Sequence, residues 1–214
     1  MYFDISTLNG NDAYKLMTAT IVPRPIAWVV SQDEQGRNNA APFSFFGAMS
    51  GDPPVVCLGI GTRPTGAHKD TAANLPVGSG FVINMVSSEL MTQMNVTAVD
   101  FAPGIDELQA AGLEISASTK VSPPRIAASP VAMECRVQQH LDVSSNRRII
   151  VAEILAMHIR DNAVLDAQRC YIDTPSLDLV GRMHGRGWYS IQETLVELPR
   201  MTETEWRERA SSRD

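Results

Sequence analysis

Val131-Ala132-Met133-Glu134-Cys135-Arg136-Val137-Gln138-Gln139-His140-Leu141 alternates apolar and polar residues with a period of two. That is the signature of a strand with one face on a core and the other on solvent. Val131, Met133, Cys135, Val137 and Leu141 are expected on the core face, and Glu134, Arg136, Gln138 and His140 on the other. Ser144-Ser145-Asn146 makes a turn, and Arg148 to Ile159 returns as a long run rich in Ile, Val and Leu. The two strands form a predicted antiparallel hairpin.

Working outward, residues 25–46 predict a second hairpin. Pro25 to Ser31 is its first strand, Asp33-Glu34-Gln35-Gly36 its turn, and Asn38 to Phe46 its return. Val55 to Ile60 and Phe81 to Val86 supply two further strands. Helices are predicted over about 11–20 and 69–75, and as two short pieces within 88–112 separated by Ala102-Pro103-Gly104. The helices fall between strand pairs and do not alternate with single strands. The pattern predicts a mainly β fold, a six-stranded antiparallel barrel with inserted short helices, and argues against a doubly wound parallel sheet. The 214 residues fit one domain over 1–200, followed by a charged tail, 201–214, read as a frayed helix or a disordered end.

A net charge of −6 argues against a nucleic-acid surface or an anionic membrane as a general partner. No signal segment opens the chain and no apolar run reaches membrane-span length, so a cytoplasmic protein is expected. Cys57, Cys135 and Cys170 are odd in number and far apart, which predicts reduced thiols and no disulfide frame or zinc site. His68, His140, His158 and His184 show no metal-ligand spacing; His140 and His158 read as surface or satisfied core residues on strands. No nucleophile elbow is present.

Three stretches remain. Gly61 to Leu75 joins a strand, glycines, Arg63, His68, Lys69, Thr71 and a helix start, yet fits neither the P-loop nor the dinucleotide fingerprint. It is either an anion site or a solvated basic turn with Lys69-Asp70 as a surface pair. Ala40 to Ser50 places Phe43, Phe45 and Phe46 beside Ser44, Gly47, Ala48 and Ser50. A core strand explains Phe43 and Phe45; the small residues leave room for a flat heteroaromatic ring. Gly181 to Tyr189 mixes Arg182, His184, Arg186 and Trp188 with glycines, as either a linker or a ligand lid would.

Taken in order, Pro23-Arg24-Pro25-Ile26-Ala27-Trp28-Val29-Val30-Ser31, Ala41-Pro42-Phe43-Ser44-Phe45-Phe46, Asp52-Pro53-Pro54, Arg63-Pro64 with Lys69-Asp70-Thr71, and Asn84 form a distinctive series. Over about 12–190 the chain resembles the flavin reductase-like proteins with the FMN-binding split-barrel fold. That group includes flavoredoxins and the reductase components of two-component flavin monooxygenases. Gly181-Arg182-Met183-His184 with Trp188-Tyr189 resembles the closing segment of a divergent branch. The resemblance implies a homodimer of Greek-key split barrels with one FMN per subunit near the interface. Arg63, Lys69 and Thr71, with the Asp70 backbone, would hold the phosphate. Ser44, Phe45, Phe46 and Gly47 would lie along the isoalloxazine, and Asn84 would bond flavin or ribityl. Arg24 and His184 match the motif without an assigned contact, and His184 is the one candidate catalytic side chain.

The implied activity is hydride transfer from NADH or NADPH to FMN. Onward reduction would reach free flavin, oxygen, a metal complex or a partner oxygenase. A flavin supplies its own hydride acceptor, so a chain without triad, metal site or paired acids is compatible with this chemistry. Two other readings stand beside it: an FMN-binding electron carrier or flavin store without nicotinamide turnover, and a barrel that has lost its cofactor.

Overall fold

A computed structural model describes residues 1–63, 66, 68–102, 104–192 and 194–211. Pro64 of the Arg63-Pro64 pair, Pro103 of the predicted helix break and the last three residues of the tail lie outside these. The order along the chain begins α1 (Gly10–Thr20), β1 (Ala27–Gln32), β2 (Asn38–Phe43), β3 (Phe46–Gly51), β4 (Pro54–Gly61), α2 (Asp70–Ala73) and β5 (Gly80–Asn84). It continues through α3 (Met91–Val96), α4 (Glu107–Ala110), β6 (Ile115–Ser116), β7 (Arg125–Ile126), β8 (Val131–Ser144) and β9 (Arg147–Ile159). Small pairs follow: β10 (Val164–Asp166), β11 (Tyr171–Ile172), β12 (Val180–Arg182) and β13 (Tyr189–Ile191). The tail carries α5 (Glu203–Ser211). No helix among the described residues is long and apolar enough to cross a membrane.

The main sheet is antiparallel throughout, in the order β2-β1-β5-β8-β9-β4-β3. Its two edge strands, β2 and β3, are joined only by Ser44 and Phe45. Three Cα steps from Phe43 to Phe46 reach at most about 11 Å. The edges of the sheet must therefore meet, and the sheet rolls into a barrel. The count is seven strands where six were expected. The difference arises because the predicted strand Asn38 to Phe46 breaks at Ser44–Phe45 and restarts as β3.

The core follows strand parity. Val56, Leu58 and Ile60 of β4 point inward with Ala27, Val29, Phe81, Ile83, Met133, Cys135, Val137 and Ile150. The opposite face of β1, Trp28 and Val30, packs with Val82, Met94, Leu108 and Ile126 under the helical layer. That double burial is why Pro25 to Ser31 reads as an unbroken apolar run. Trp28 donates its indole N–H to Thr97 Oγ1 at 2.9 Å. The fully buried Cys135 thiol is pushed up to about 12 by burial, then by the Glu134 charge.

Two expectations for β8 are corrected. Leu141 is 53% exposed, because the β8–β9 register slips between Val137 and Gln139 and inverts the alternation beyond it. Glu134 does lie on the face opposite Met133, but that face is covered and the residue is fully buried. Its carboxylate accepts the N–H groups of Thr119 (2.9 and 3.0 Å) and Lys120 (2.5 Å), the Thr119 hydroxyl (3.1 Å), and bonds His158 Nε2 at 2.5 Å. Burial opposes its ionisation, yet the His158 ring and the Thr119 and Lys120 donors outweigh burial and hold the carboxyl at about 2. His158 and His140, whose Nε2 lies 2.5 Å from Leu75 O, are both satisfied structural residues.

Because the Glu134 carboxyl sits below its ordinary value of 4.5, the unfolded chain takes the proton first as pH falls. Its stabilisation is complete above 4.5 and disappears towards 2. Glu134→Gln is expected to lower the unfolding free energy by about 2–3 kcal/mol at neutral pH. In urea unfolding, the gap from wild type should close as pH drops through that window. A gap independent of pH would remove the buried charge from the account.

Candidate functional site

The corner that closes the barrel also opens a pocket. Where β2 turns into β3, Phe45 leaves the ladder and its carbonyl accepts the Gly59 N–H at 2.7 Å. A Cβ on Gly59 would stand 3.1 Å from Phe45 Cβ, a tight contact that glycine avoids. Cys57 and Gly59 point away from the barrel interior, and with Gly47 they leave a low shelf on the outer surface of β3 and β4. The end of α1 forms the opposite wall through Met17 and Ile21. Between them lies a mainly apolar pocket of about 390 Å3, lined also by Arg24, Ser44, Phe45, Phe46 and Ile149.

Arg24 fixes that wall. It is 8% exposed, and its Nη1 donates to Thr18 O (2.9 Å) and Ile21 O (2.7 Å) at the C-terminal end of α1. There a cation both satisfies free carbonyls and meets the negative end of the helix. Its Nη2 donates to Met183 O at 2.8 Å, and its Nε lies 3.4 Å from Ser44 Oγ. Its backbone exchanges two hydrogen bonds with Arg182. One residue thus ties α1, the corner and the β12–β13 hairpin together.

The Gly181 to Tyr189 stretch is that hairpin, with Gly181 paired to Ser190 and Arg182 to Tyr189. A Cβ on Gly181 would come within 2.7 Å of Pro23 Cβ, so the hairpin lies directly on the Pro23–Arg24 backbone. His184 stacks on Trp188, with ring centroids 6.2 Å apart and planes 11° from parallel. The His184 ring is not among the groups lining the pocket.

The Lys69–Thr71 segment lies alongside β2, with Lys69 at Phe43 and Thr71 at Asn39. Lys69 Nζ lies 5.8 Å over the Phe43 ring, and among the described residues it has no carboxylate partner. Arg63 Nη2 pairs with Asp70 Oδ2 at 2.7 Å, so the pair seen here is Arg63–Asp70 and not Lys69–Asp70. Thr71 is 1% exposed, and its hydroxyl donates to Asn39 Oδ1 at 2.8 Å. Asn39 Nδ2 donates in turn to Glu107 Oε1 at 2.9 Å, and Ala40 N to Glu107 Oε2 at 3.0 Å. Burial raises the Glu107 carboxyl, while the Ala40 and Asn39 donors oppose that rise.

Asn84 is fully buried: its Nδ2 donates to Trp28 O at 3.1 Å and its Oδ1 accepts from Ile126 N at 2.9 Å. The structure therefore brings Arg24, Ser44, Phe45, Phe46 and Gly47 into one pocket, with Lys69, Arg63 and Asp70 beyond Phe43. Thr71 bonds Asn39 of β2, and Asn84 lies on the outer face of β5 against Ile126 under the helical layer; both are buried and hydrogen-bonded within the fold. Met17, Ile21, Cys57 and Ile149 were not singled out in the sequence; each is an ordinary apolar or thiol residue without a motif. Burial raises the Cys57 thiol, which keeps it protonated.

The model of the flavin reductase like domain matches residues 18–174, and the chain belongs to that family. A protein of Deinococcus radiodurans is 44% identical over all of this chain and 95% of its own. The structure of 2-nitrobenzoate 2-nitroreductase NbaA from Pseudomonas fluorescens is similar at TM-score 0.86 and 32% identity, covering 95% of this chain and 98% of that one. Nitrilotriacetate monooxygenase component B from Bacillus cereus is similar at TM-score 0.84 and 25% identity, covering 92% and 98%. The protein is a member of a flavin-linked oxidoreductase family.

Thr71→Val would leave the buried Asn39 carbonyl without its donor. It is expected to cost about 1–3 kcal/mol of stability, measured by urea unfolding without any ligand. A variant as stable as wild type would show that the Thr71–Asn39–Glu107 chain does not hold the loop.

Proposed function

We propose that the protein is an FMN-binding oxidoreductase that takes hydride from NADH or NADPH. The observation that carries this reading is the pairing of an apolar, glycine-floored pocket at Ser44–Gly47 with an unneutralised Lys69 beyond Phe43. Its 390 Å3 lies within the range of small-molecule sites, and few polar groups surround it. The residues fit a flavin mononucleotide: a flat wall for a ring and cations for a phosphate. Lys69 and Arg63 would hold the phosphate, and Ser44, Phe45, Phe46 and Gly47 the ring. Asp70 would contribute through its backbone, its carboxylate being paired to Arg63.

A bound flavin supplies the hydride acceptor. What this chain adds is position and dryness. Arg24 holds the corner and α1 together, and Phe45 stacks on Tyr14 with centroids 6.0 Å apart, an apolar edge that a partner subunit would cover. The protonated Cys57 thiol contributes a neutral surface.

Exposed Tyr14, Met17, Ile21, Phe45 and Met49 surround the pocket with apolar surface, which supports a homodimer closing over it. The likeness to a monooxygenase component supports a partner oxygenase as electron acceptor. The likeness to a nitroreductase adds nitroarenes to free flavin, oxygen and metal complexes as acceptors to assay.

The purified protein should bind FMN and bleach on anaerobic addition of NADH or NADPH. Bound flavin that stays yellow with both donors would replace this reading with that of a carrier or store. Lys69→Ala should weaken FMN binding by about 1.5–3 kcal/mol, as loss of a charge-assisted bond implies. An unchanged dissociation constant would take Lys69 out of the site.

A further inference from the structure

On the far side of the Gly61 to Leu75 loop lies a second pocket, of about 270 Å3, framed by the end of β4 and the β8–β9 turn. We propose that this pocket binds a nucleotide phosphate group separate from the one assigned to Lys69 and Arg63. The candidate group is a phosphate of the dinucleotide backbone or the 2′-phosphate of a nicotinamide. The proposal deepens the flavin reading, because FMN has a single phosphate and this pocket would take one that FMN lacks.

The pocket offers mostly donors: Thr62, Ser144, Ser145, His68, Arg147 and Arg148. Its carboxylate, Asp142, is engaged by Arg148 through Nε (2.6 Å) and Nη2 (3.2 Å). The Arg148 hydrogen bond is the main reason the Asp142 carboxyl lies below its usual range. The two charges cancel, which leaves Arg147. Among the described residues its guanidinium bonds only Asn146 O, at 3.0 Å, and no carboxylate pairs with it. Ser144 donates its hydroxyl to Asn146 Oδ1 at 2.7 Å.

The donors are held by the sheet. Arg147 pairs with Gly61 and Arg148 with Ile60 in the β4–β9 ladder. The Arg147 side chain crosses Gly61 so closely that a Cβ there would lie 2.6 Å from its Nη1. Thr62 donates its N–H to Asn146 O at 3.2 Å and bridges His68, which fastens the loop to the turn. At about 270 Å3 the pocket has room for a phosphate group.

The test is calorimetric titration of FMN-saturated protein with ADP and, separately, with 2′,5′-ADP. Arg147→Gln and Arg147→Lys are compared with wild type, and FMN affinity is measured alongside. Arg147 is exposed at a turn, so both variants should fold. The expected result is that one probe binds wild type, weakens about tenfold or more in Arg147→Gln, and is partly restored in Arg147→Lys. FMN affinity should remain unchanged. Dependence confined to 2′,5′-ADP would assign the pocket to a 2′-phosphate; dependence shared by ADP would assign it to a dinucleotide backbone. Binding of neither probe, or binding indifferent to Arg147, overturns the proposal. An equal loss of FMN affinity would place Arg147 in the flavin phosphate site and also overturn it. Should FMN itself fail to bind, the same titration on the flavin-free protein still decides the pocket.

Discussion

The two-residue connection between β2 and β3 is the constraint from which the rest follows. A sheet whose first and last strands are neighbours in sequence cannot stay open, so each outward face becomes the outside of a barrel. Closure leaves Ser44 and Phe45 outside regular pairing, and their backbone must find partners elsewhere. The Gly59 N–H supplies one at 2.7 Å, at a spot where a Cβ would sit tightly, 3.1 Å from Phe45 Cβ. The device that shuts the barrel thus also creates a concave, side-chain-poor surface. The pocket is a consequence of closure.

Arg24 turns that surface into a fixed site. A guanidinium has several donors in a rigid fork, and here they reach α1, Ser44 and the β12–β13 hairpin together. Lysine could not satisfy three carbonyls in that geometry while remaining nearly buried. The same economy recurs on the opposite side, where Glu134 holds the Thr119–Lys120 segment through both carboxylate oxygens. In each case one buried charge organises backbone that forms no regular sheet. Such charges are stable only where every nearby donor or acceptor is engaged.

What was legible in the sequence was what is local. Val55 to Ile60 reads as a strand from its apolar residues alone, and the stretch Ala40 to Ser50 stands out for small residues among phenylalanines, while only the family resemblance narrows it to Ser44 to Gly47. Parity failed where the register slips: Gln139, polar at a position where alternation calls for a core residue, is the one local sign of the slip, and Leu141 lies beyond it. Glu134 misled for another reason: the outward face of a strand is solvent only if no loop covers it. Asn39 and Glu107, 68 positions apart, meet only because β2 and α4 pack together. Thr71 and Asn84 carry side chains equally suited to a ligand and to the fold. Their hydrogen bonds, all within the protein, could not be read from residue type.

The electrostatics of the loop follow from this anchoring. The chain as a whole carries −6, yet Arg63, His68, Lys69, Arg147 and Arg148 gather around one segment. Asp70 and Asp142 each neutralise one arginine, and Lys69 and Arg147 remain. Their positions are set by the barrel: Thr71 hangs from Asn39, Leu75 O is held by His140, and Thr62 is tied to Asn146. A cation held in place needs little reordering to meet an anion, whereas a free surface lysine loses rotamer freedom on doing so. An acidic protein with Lys69 on this loop and Arg147 at the start of β9, neither paired with a carboxylate among the described residues, repels polyanions in general while keeping a local positive field at that place.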